Sequence, residues 1–183
     1  MNLSFDISTS SIGIAFGMNK IEYKQFNTKS IKDKYKNKEI SDFNLYVEIA
    51  KEVLNLIDFN PDNIIIEEPI FNSVNRKTVN KLITINTIIS TMLSTKYNKP
   101  IIHQNVNKVR SWMIKQGDSD NKDVKAKTIE ILNSKYKFNL NYKLNDAADA
   151  IMHLLYFNTN NNESTVQTEQ INQSVRKTRR IKQ

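Results

Sequence analysis

The sequence predicts an α/β fold, in which three N-terminal strands are followed by two further strands that alternate with helices. Apolar and polar residues alternate over 2–26 in three short runs, as they do in strands with one buried face. The β-branched run at 64–66 is typical of a strand buried on both faces, and segments with helical spacing flank it. The 183 residues suffice to bury one core without disulfides.

The first strand is predicted over 2–7, where apolar residues alternate with Ser4 and Asp6. A turn over 8–11 and a second strand over 12–16 follow. A buried carboxylate is costly unless a cation, a hydrogen-bond donor or solvent lies beside it. Asp6 is therefore either a turn-capping residue or a functional one, and its neighbours in the sequence leave both interpretations open.

A third strand is predicted over 21–26, where the alternation resumes. The lysine- and asparagine-rich segment 27–40 is predicted to be an exposed loop or the lead-in to a helix. Its basic side chains could contact a phosphate backbone. A helix is then expected from its N-cap Ser41 to about 58. Its predicted apolar stripe consists of Phe43, Val47, Ala50, Leu54 and Ile57.

The strand at 64–66 ends in Glu67 and Glu68. Open α/β sheets bind ligands at the carboxyl ends of their strands, so two carboxylates at this point favour a functional site. Either glutamate alone could equally be a solvated residue at the end of a strand.

The segment 75–97 has helical spacing and is apolar over more than one face. It is either a helix buried between layers or one with a spare face for a second subunit, so a homodimer and an intrachain core helix are both open. A short strand over 99–103 and helices over 106–114 and 123–134 are predicted next.

Basic residues crowd the region around Trp112, although the tryptophan itself favours core packing. Basic side chains with an interleaved aromatic residue suit a nucleic-acid surface, and the formal net charge of +8 agrees with a polyanionic partner. The strong bias of the whole chain toward Asn, Lys and Ile weakens the argument from charge. The candidate nucleic-acid contacts are Lys108, Arg110, Lys122 and Lys125.

The last predicted helix covers 146–157, with Asn145 as its cap. Asp146 and Asp149 are three residues apart and share one face beside small alanines, which permit close approach to a sheet. His153 lies one turn further along and is predicted to be a buried, hydrogen-bonded residue rather than a ligand. The polar segment 158–183 is predicted to be a disordered tail with a basic end, which leaves one domain over 1–157.

Composition excludes several classes of protein. The chain has no cysteine, which rules out a disulfide scaffold and a cysteine-based zinc site. It has neither an apolar run of about eighteen residues nor the pattern of a signal peptide, so a cytosolic protein without a membrane span is expected.

Three motifs together resemble the RuvC-type Holliday-junction resolvases of the ribonuclease H-like superfamily, especially their phage members. The motifs are Asp6-Ile-Ser-Thr-Ser-Ser-Ile-Gly13, Ile64-Ile-Ile-Glu67-Glu68 and Asn145-Asp146-Ala-Ala-Asp149-Ala150, of which the last is the most specific. The resemblance covers 1–157. It implies a mixed five-stranded sheet with helices on both faces, a homodimer and a magnesium-dependent nuclease that cuts branched DNA. A phage-encoded enzyme of this kind would act in the cytoplasm of the host cell.

Residue by residue, the resemblance assigns the site to Asp6, Glu67, Asp146 and Asp149. Glu68 stands where the bacterial enzymes often have a neutral amide, and Ile7-Ser8 replaces the usual Pro-Gly after the first aspartate. Lys122 is similar to a basic residue that the family keeps near the scissile phosphate.

Carboxylate oxygens are the ligands that Mg²⁺ and Mn²⁺ prefer, which agrees with this assignment. Two such ions about 3.5–4 Å apart can promote phosphodiester hydrolysis. Asp6 would then bridge both ions, Glu67 and Asp149 would each bind one, and Asp146 would bind an ion or orient a water.

Three other functions share some of these features. A sugar kinase or actin-like ATPase needs a second glycine-rich phosphate loop, whereas this chain has only Gly13, Gly17 and Gly117. A non-catalytic nucleic-acid-binding protein would not need four carboxylates. A nuclease of the same superfamily that acts on RNA or on flaps stays open.

Overall fold

The computed structural model describes residues 1–69, 75–117 and 122–161. It contains a five-stranded mixed sheet in the order β3-β2-β1-β4-β5, which confirms the predicted fold class. β1, β2 and β3 pair antiparallel, whereas β1, β4 and β5 run parallel. The strands are β1 Asn2–Ile7, β2 Ser11–Gly17, β3 Ile21–Asn27, β4 Ile64–Glu67 and β5 Ile101–Gln104.

Six α-helices cover the two faces of the sheet in the described residues. Side chains of the first three helices join one hydrophobic core, and side chains of the last three join the other. A short 3₁₀ helix, Tyr142–Leu144, precedes the last helix. The helices are α1 Lys29–Tyr35, α2 Asp42–Asn55, α3 Arg76–Tyr97, α4 Val106–Ile114, α5 Val124–Tyr136 and α6 145–161.

The side chains of β1 alternate between the two faces of the sheet, so its core residues and its aspartate lie on different faces. Leu3 and Phe5 point into the first core and are completely buried. Asp6 points to the opposite face, because successive strand residues alternate. The face that holds α4, α5 and α6 is therefore the one on which the acidic residues lie.

Most predicted helices and strands are confirmed to within a few residues. Ser41 caps α2, since its hydroxyl accepts a hydrogen bond from the Asn44 amide at 3.2 Å. The segment 27–40, predicted as a loop or a helix lead-in, contains the short helix α1, whose Ile31 is buried.

Three details of the prediction are wrong. Phe43 is 57% exposed, because the first turn of α2 lies outside the core and the buried stripe begins only at Tyr46. Asn145 is not the N-cap of the last helix but has helical dihedral angles, because the 3₁₀ helix, which Asn141 caps, leads directly into α6.

The third wrong detail is the boundary at 158. Helix α6 continues through 161, and the Asn158 side chain accepts a hydrogen bond from the Asn2 side chain. The rest of the predicted tail, 162–183, lies outside the described residues. Within the described part of the chain, none of the helices combines the length and the apolar character that crossing a lipid bilayer requires.

Candidate active site

The carboxyl ends of three parallel strands place Asp6, Glu67 and Gln104 in one row. Phe5 of β1 pairs with Ile66 of β4, so the next residues, Asp6 and Glu67, are neighbours on the same face. Glu67 in turn pairs with Gln104 of β5. The sheet thus supplies two carboxylates and one amide at the edge where ligands of such sheets bind.

Helix α6 supplies the other two carboxylates. Asp146 and Asp149 are 8% and 4% exposed on the helix face that packs against the sheet. The close approach of α6 to the sheet requires a glycine at position 13, which pairs with Asp6 in the register of β1 and β2. A Cβ at Gly13 would lie 1.9 Å from the Asp146 carbonyl oxygen, so only glycine lets the first turn of α6 lie on β2.

Side-chain amides hold both ends of α6. At its start, the Gln25 amide nitrogen donates to the Lys143 carbonyl at 2.8 Å, while the Gln25 amide oxygen accepts from the Ala147 amide at 3.3 Å. At its other end, Asn158 donates to Met18 and Asn2 donates to Asn158. The positions of Asp146 and Asp149 are therefore supported by contacts at both ends of the helix.

The four carboxylates line one cavity of about 180 Å³. Burial raises the pKa of Asp6 well above its usual range, and the negative charges of Glu67, Asp149 and Asp146 raise it further. Lys125 acts in the opposite direction. No described residue donates a hydrogen bond to the Asp6 carboxylate or forms an ion pair with it, which leaves its oxygens available to a cation.

Asp149 has a cationic partner. The Arg110 guanidinium of α4 lies 3.4 Å from its carboxylate. Burial raises the pKa of Asp149 and Glu67 adds to that rise, while Arg110, Lys125 and His153 lower it. Asp146 instead accepts hydrogen bonds from the Ser11 hydroxyl and from the Asn145 amide.

His153 connects Glu67 to Gln104. It is completely buried, its Nε2 lies 3.3 Å from a Glu67 carboxylate oxygen, and its Nδ1 lies 2.8 Å from the Gln104 amide oxygen. The prediction of a buried, hydrogen-bonded histidine is confirmed, and its partner is a residue of the candidate site. His153 is thus a positioning residue for Glu67.

Replacement of His153 by leucine is expected to lower the free energy of unfolding by about 1–3 kcal/mol, because Glu67 and Gln104 lose a buried partner. The nuclease activity that the resemblance to resolvases implies should fall as well, since the Glu67 carboxylate is no longer held in place. Chemical denaturation measures the first effect and a cleavage assay the second.

The matched control is His103→Leu, because His103 is exposed and points to the opposite face of the sheet. It should change neither quantity. Adding Gln104→Leu to His153→Leu should restore part of the lost stability, because the buried Gln104 amide is then no longer left without its partner, whereas Glu67 still is. Full activity in His153→Leu would show that Glu67 needs no such support.

The donor set suits a hard divalent cation. Within the described residues, no three His, Cys, Asp or Glu side chains already form a metal-binding group. Several carboxylate oxygens are instead engaged by Ser11, Arg110 and His153. The crowding of four carboxylates around the unpartnered Asp6 nevertheless fits Mg²⁺ or Mn²⁺, because a bound cation would relieve their mutual repulsion.

The four basic candidates lie in different places. Lys125 lines the acidic cavity, and so does Arg110, which faces Asp149 rather than an open surface. Lys108 and Lys122 are exposed and do not line that cavity. Trp112 packs edge-on against Tyr156 in the second core, as expected. Glu68 is exposed at the rim of the cavity.

Sequence patterns did not reveal the functions of Gly13, Ser11, Gln25 and Gln104. An isolated glycine in a strand signals close backbone approach, so Gly13 could have been found in this way. The other three are ordinary polar residues whose partners lie 49–135 positions away in the chain. Only the fold brings them to the site.

Comparison with known proteins places the chain near a phage family and near junction resolvases. A family model described as Lactococcus phage M3 protein matches residues 1–159. The structure of T. thermophilus RuvC in complex with Holliday junction substrate is similar, with a TM-score of 0.57 and 14% identity, over 86% of this chain and 94% of that one.

Two further solved structures are similar. One is a Thermus thermophilus RuvC structure, with a TM-score of 0.56 and 15% identity, over 86% of this chain and 95% of that one. The other is the yeast mitochondrial Holliday junction resolvase Ydc2, with a TM-score of 0.56 and 14% identity, over 83% of this chain and 75% of that one. Identities this low establish a shared fold. No curated protein sequence matches the chain.

Proposed function

We propose that this chain, which belongs to the Lactococcus phage M3 protein family, is a metal-dependent endonuclease that resolves Holliday junctions by paired nicks. The observation that carries the proposal is the meeting of Asp6, Glu67, Asp146 and Asp149 in one cavity at the carboxyl ends of parallel strands. The shared fold with RuvC and Ydc2 supports junction DNA as the substrate.

Asp6, Glu67 and Asp149 are the residues that would hold Mg²⁺ or Mn²⁺, with Asp146 as a further ligand or as an acceptor that orients a water. When bound, such ions lower the pKa of water and stabilise negative charge on the scissile phosphate. The strands fix Asp6 and Glu67, while α6 fixes Asp146 and Asp149. A phosphate in the cavity would therefore lie between the sheet and α6.

Two cations of the chain complement the carboxylates. Lys125 lines the cavity beside Asp6, and Arg110 faces Asp149. Both can attract a phosphate into a site that four carboxylates would otherwise repel. Arg110 can also release Asp149 to a cation while pairing with the incoming phosphate.

A homodimer is part of the proposal, because paired nicks on opposite strands of a junction need two active sites. The half-buried apolar residues Val79 and Ile83 of α3 are where a second copy would pack. Paired cutting within one binding event is the expected sign of this assembly.

Cleavage of labelled four-way junction, flap, Y-form and linear duplex DNA, and of an RNA flap, tests the proposal. The wild type and Asp149→Asn are compared in Mg²⁺, Mn²⁺ or EDTA. We expect symmetric, metal-dependent nicks in the four-way junction, and a loss of about 10³-fold in the variant, because removing one ligand forfeits several kcal/mol of charge stabilisation.

Equal cutting of flaps and Y-forms would instead make the protein a nuclease for branched DNA in general, and cutting of the RNA flap would redefine its substrate. Binding without cutting under any metal would reduce it to a nucleic-acid-binding protein.

A further inference from the structure

A second cavity, of about 690 Å³, opens directly beside the acidic one. The two share Ser8, Lys125 and Asp146 as lining residues, so they form one continuous depression. The acidic part lies over the ends of β1 and β4. The second part extends past the tip of the β1–β2 hairpin toward α1.

Four lysines from three parts of the chain line this second cavity, which we call the lysine groove: Lys29 and Lys32 of α1, Lys125 of α5 and Lys143 of the 3₁₀ helix. Asp146 is the one acidic residue among its described lining, and both of its carboxylate oxygens already accept hydrogen bonds. The groove therefore presents a concentrated positive charge right next to a cluster of negative charge. Such a contrast suits a chain of phosphates that ends at a metal-binding site.

The floor of the groove is rigid. The buried Thr28 hydroxyl donates to the carbonyls of Thr9 and Ser10, at 2.9 and 3.0 Å. The Lys32 ammonium also donates to the Thr9 carbonyl, at 2.6 Å. Inside the hairpin tip, the Ser8 hydroxyl donates to the Ser11 carbonyl at 2.8 Å. The lysines thus surround a tip whose shape is already set before a ligand binds.

The remaining lining residues are serine, threonine, asparagine and glutamine, and none is aromatic. Bases are recognised by stacking or through their edges, whereas hydroxyl, amide and ammonium groups serve the sugar–phosphate backbone. The chemistry of the groove therefore favours the backbone of one strand, read without regard to sequence.

We propose that the lysine groove binds consecutive backbone phosphates of the DNA strand that is cut, adjacent to the phosphate in the acidic cavity. This inference rests on the proposed nuclease function, and it adds the path of the strand across the surface. Lys29 and Lys143 are its outer contacts: both are exposed, and neither ammonium group forms a hydrogen bond or an ion pair with a described residue.

The test is the double variant Lys29→Gln/Lys143→Gln. Lys32 is kept because it supports the hairpin tip, and Lys125 is kept because it faces Asp6. The matched control, Lys20→Gln/Lys99→Gln, removes the same charge at the opposite end of the strands. Binding of a labelled four-way junction is measured in EDTA by fluorescence anisotropy at several salt concentrations, and melting temperatures confirm that both variants fold.

The groove variant should bind about tenfold more weakly at 0.1 M salt, and the slope of log K against log [salt] should flatten by about 1.8, the value for two lost phosphate contacts. The loss should be the same for junctions of different sequence. The control should keep the wild-type affinity and slope.

Wild-type affinity and slope in the groove variant would overturn the inference, even if the wild type cuts junctions. Groove-dependent binding by a protein that cuts no substrate would uphold the groove and overturn the nuclease proposal. No binding of DNA by the wild type would overturn both.

Discussion

The Asp6→Asn variant is expected to lose cleavage of a four-way junction by about 10³-fold. The asparagine keeps the shape of the side chain but removes the negative charge that we assign to metal binding. Stabilisation of transition-state charge by a bound ion is worth several kcal/mol, and each 1.36 kcal/mol is a factor of ten in rate. Single-turnover cleavage with labelled DNA measures the loss.

The same variant should also lose its thermal response to metal. Adding Mg²⁺ or Mn²⁺ should raise the melting temperature of the wild type, because the ion binds only the folded carboxylate cluster. In Asp6→Asn the shift should disappear. Asp58→Asn, which changes an exposed carboxylate outside the cavity, should retain both the shift and the activity.

The pH dependence of stability gives a further test of the same variant. The folded-state pKa of Asp6 is raised, so its contribution to stability is fully present below its unfolded pKa, near pH 4, and is lost as the pH rises through the folded value. Asparagine does not ionise, so the Asp6→Asn variant does not lose this stability as the pH rises. Without metal at neutral pH, the variant should therefore melt at a higher temperature than the wild type.

A variant that kept the metal-induced shift would remove Asp6 from the metal site. A variant that melted below the wild type in EDTA would show that Asp6 supports the fold rather than straining it. Either result would contradict the assignment of Asp6 as the central ligand.

The Gly13→Ala variant should show the largest loss of stability, about 3 kcal/mol or more. Its new Cβ would lie 1.9 Å from the Asp146 carbonyl oxygen and 2.7 Å from the Ala147 amide nitrogen. These are backbone atoms of α6 and cannot rotate away, so the helix must shift from the sheet. Chemical denaturation measures the effect, and cleavage should fall with it because Asp146 and Asp149 move away from Asp6.

Gly117→Ala is the matched control. A Cβ there would meet only the Ile131 side chain, at 3.3 Å, so a shift of a few tenths of an ångström suffices. Its free energy of unfolding should change by less than about 1 kcal/mol. Equal effects of the two alanines would show that α6 does not depend on close approach at Gly13.

The parts of this structure that follow local rules could be predicted from the sequence. Asp6 and Glu67 occupy ends of strands that are marked by alternation and by a run of isoleucines. Asn75 and Ser41 begin helices because their side chains accept backbone hydrogen bonds, at 3.1 and 3.2 Å. Asp146 and Asp149 share a helix face by their spacing alone.

The parts that depend on topology could not be predicted. Lys29 and Lys143 line one groove although 114 positions separate them, because the fold brings α1 and the 3₁₀ helix to the same cavity as the hairpin tip. Local sequence patterns do not indicate that the two lysines line the same cavity. Phe43 is an error of another kind, because a local pattern predicted a contact that the fold does not make. It fits the helical period of α2 but lies in the first turn of the helix, outside the core.

The central claim is that the four carboxylates form a nuclease site for branched DNA. Its most direct test is the mapping of cut positions on all four strands of a labelled junction by the wild type in Mg²⁺ and in EDTA. We predict nicks at symmetric positions on two opposite strands in Mg²⁺ and none in EDTA. An intact junction in Mg²⁺ and in Mn²⁺, at protein concentrations that saturate binding, would contradict the claim.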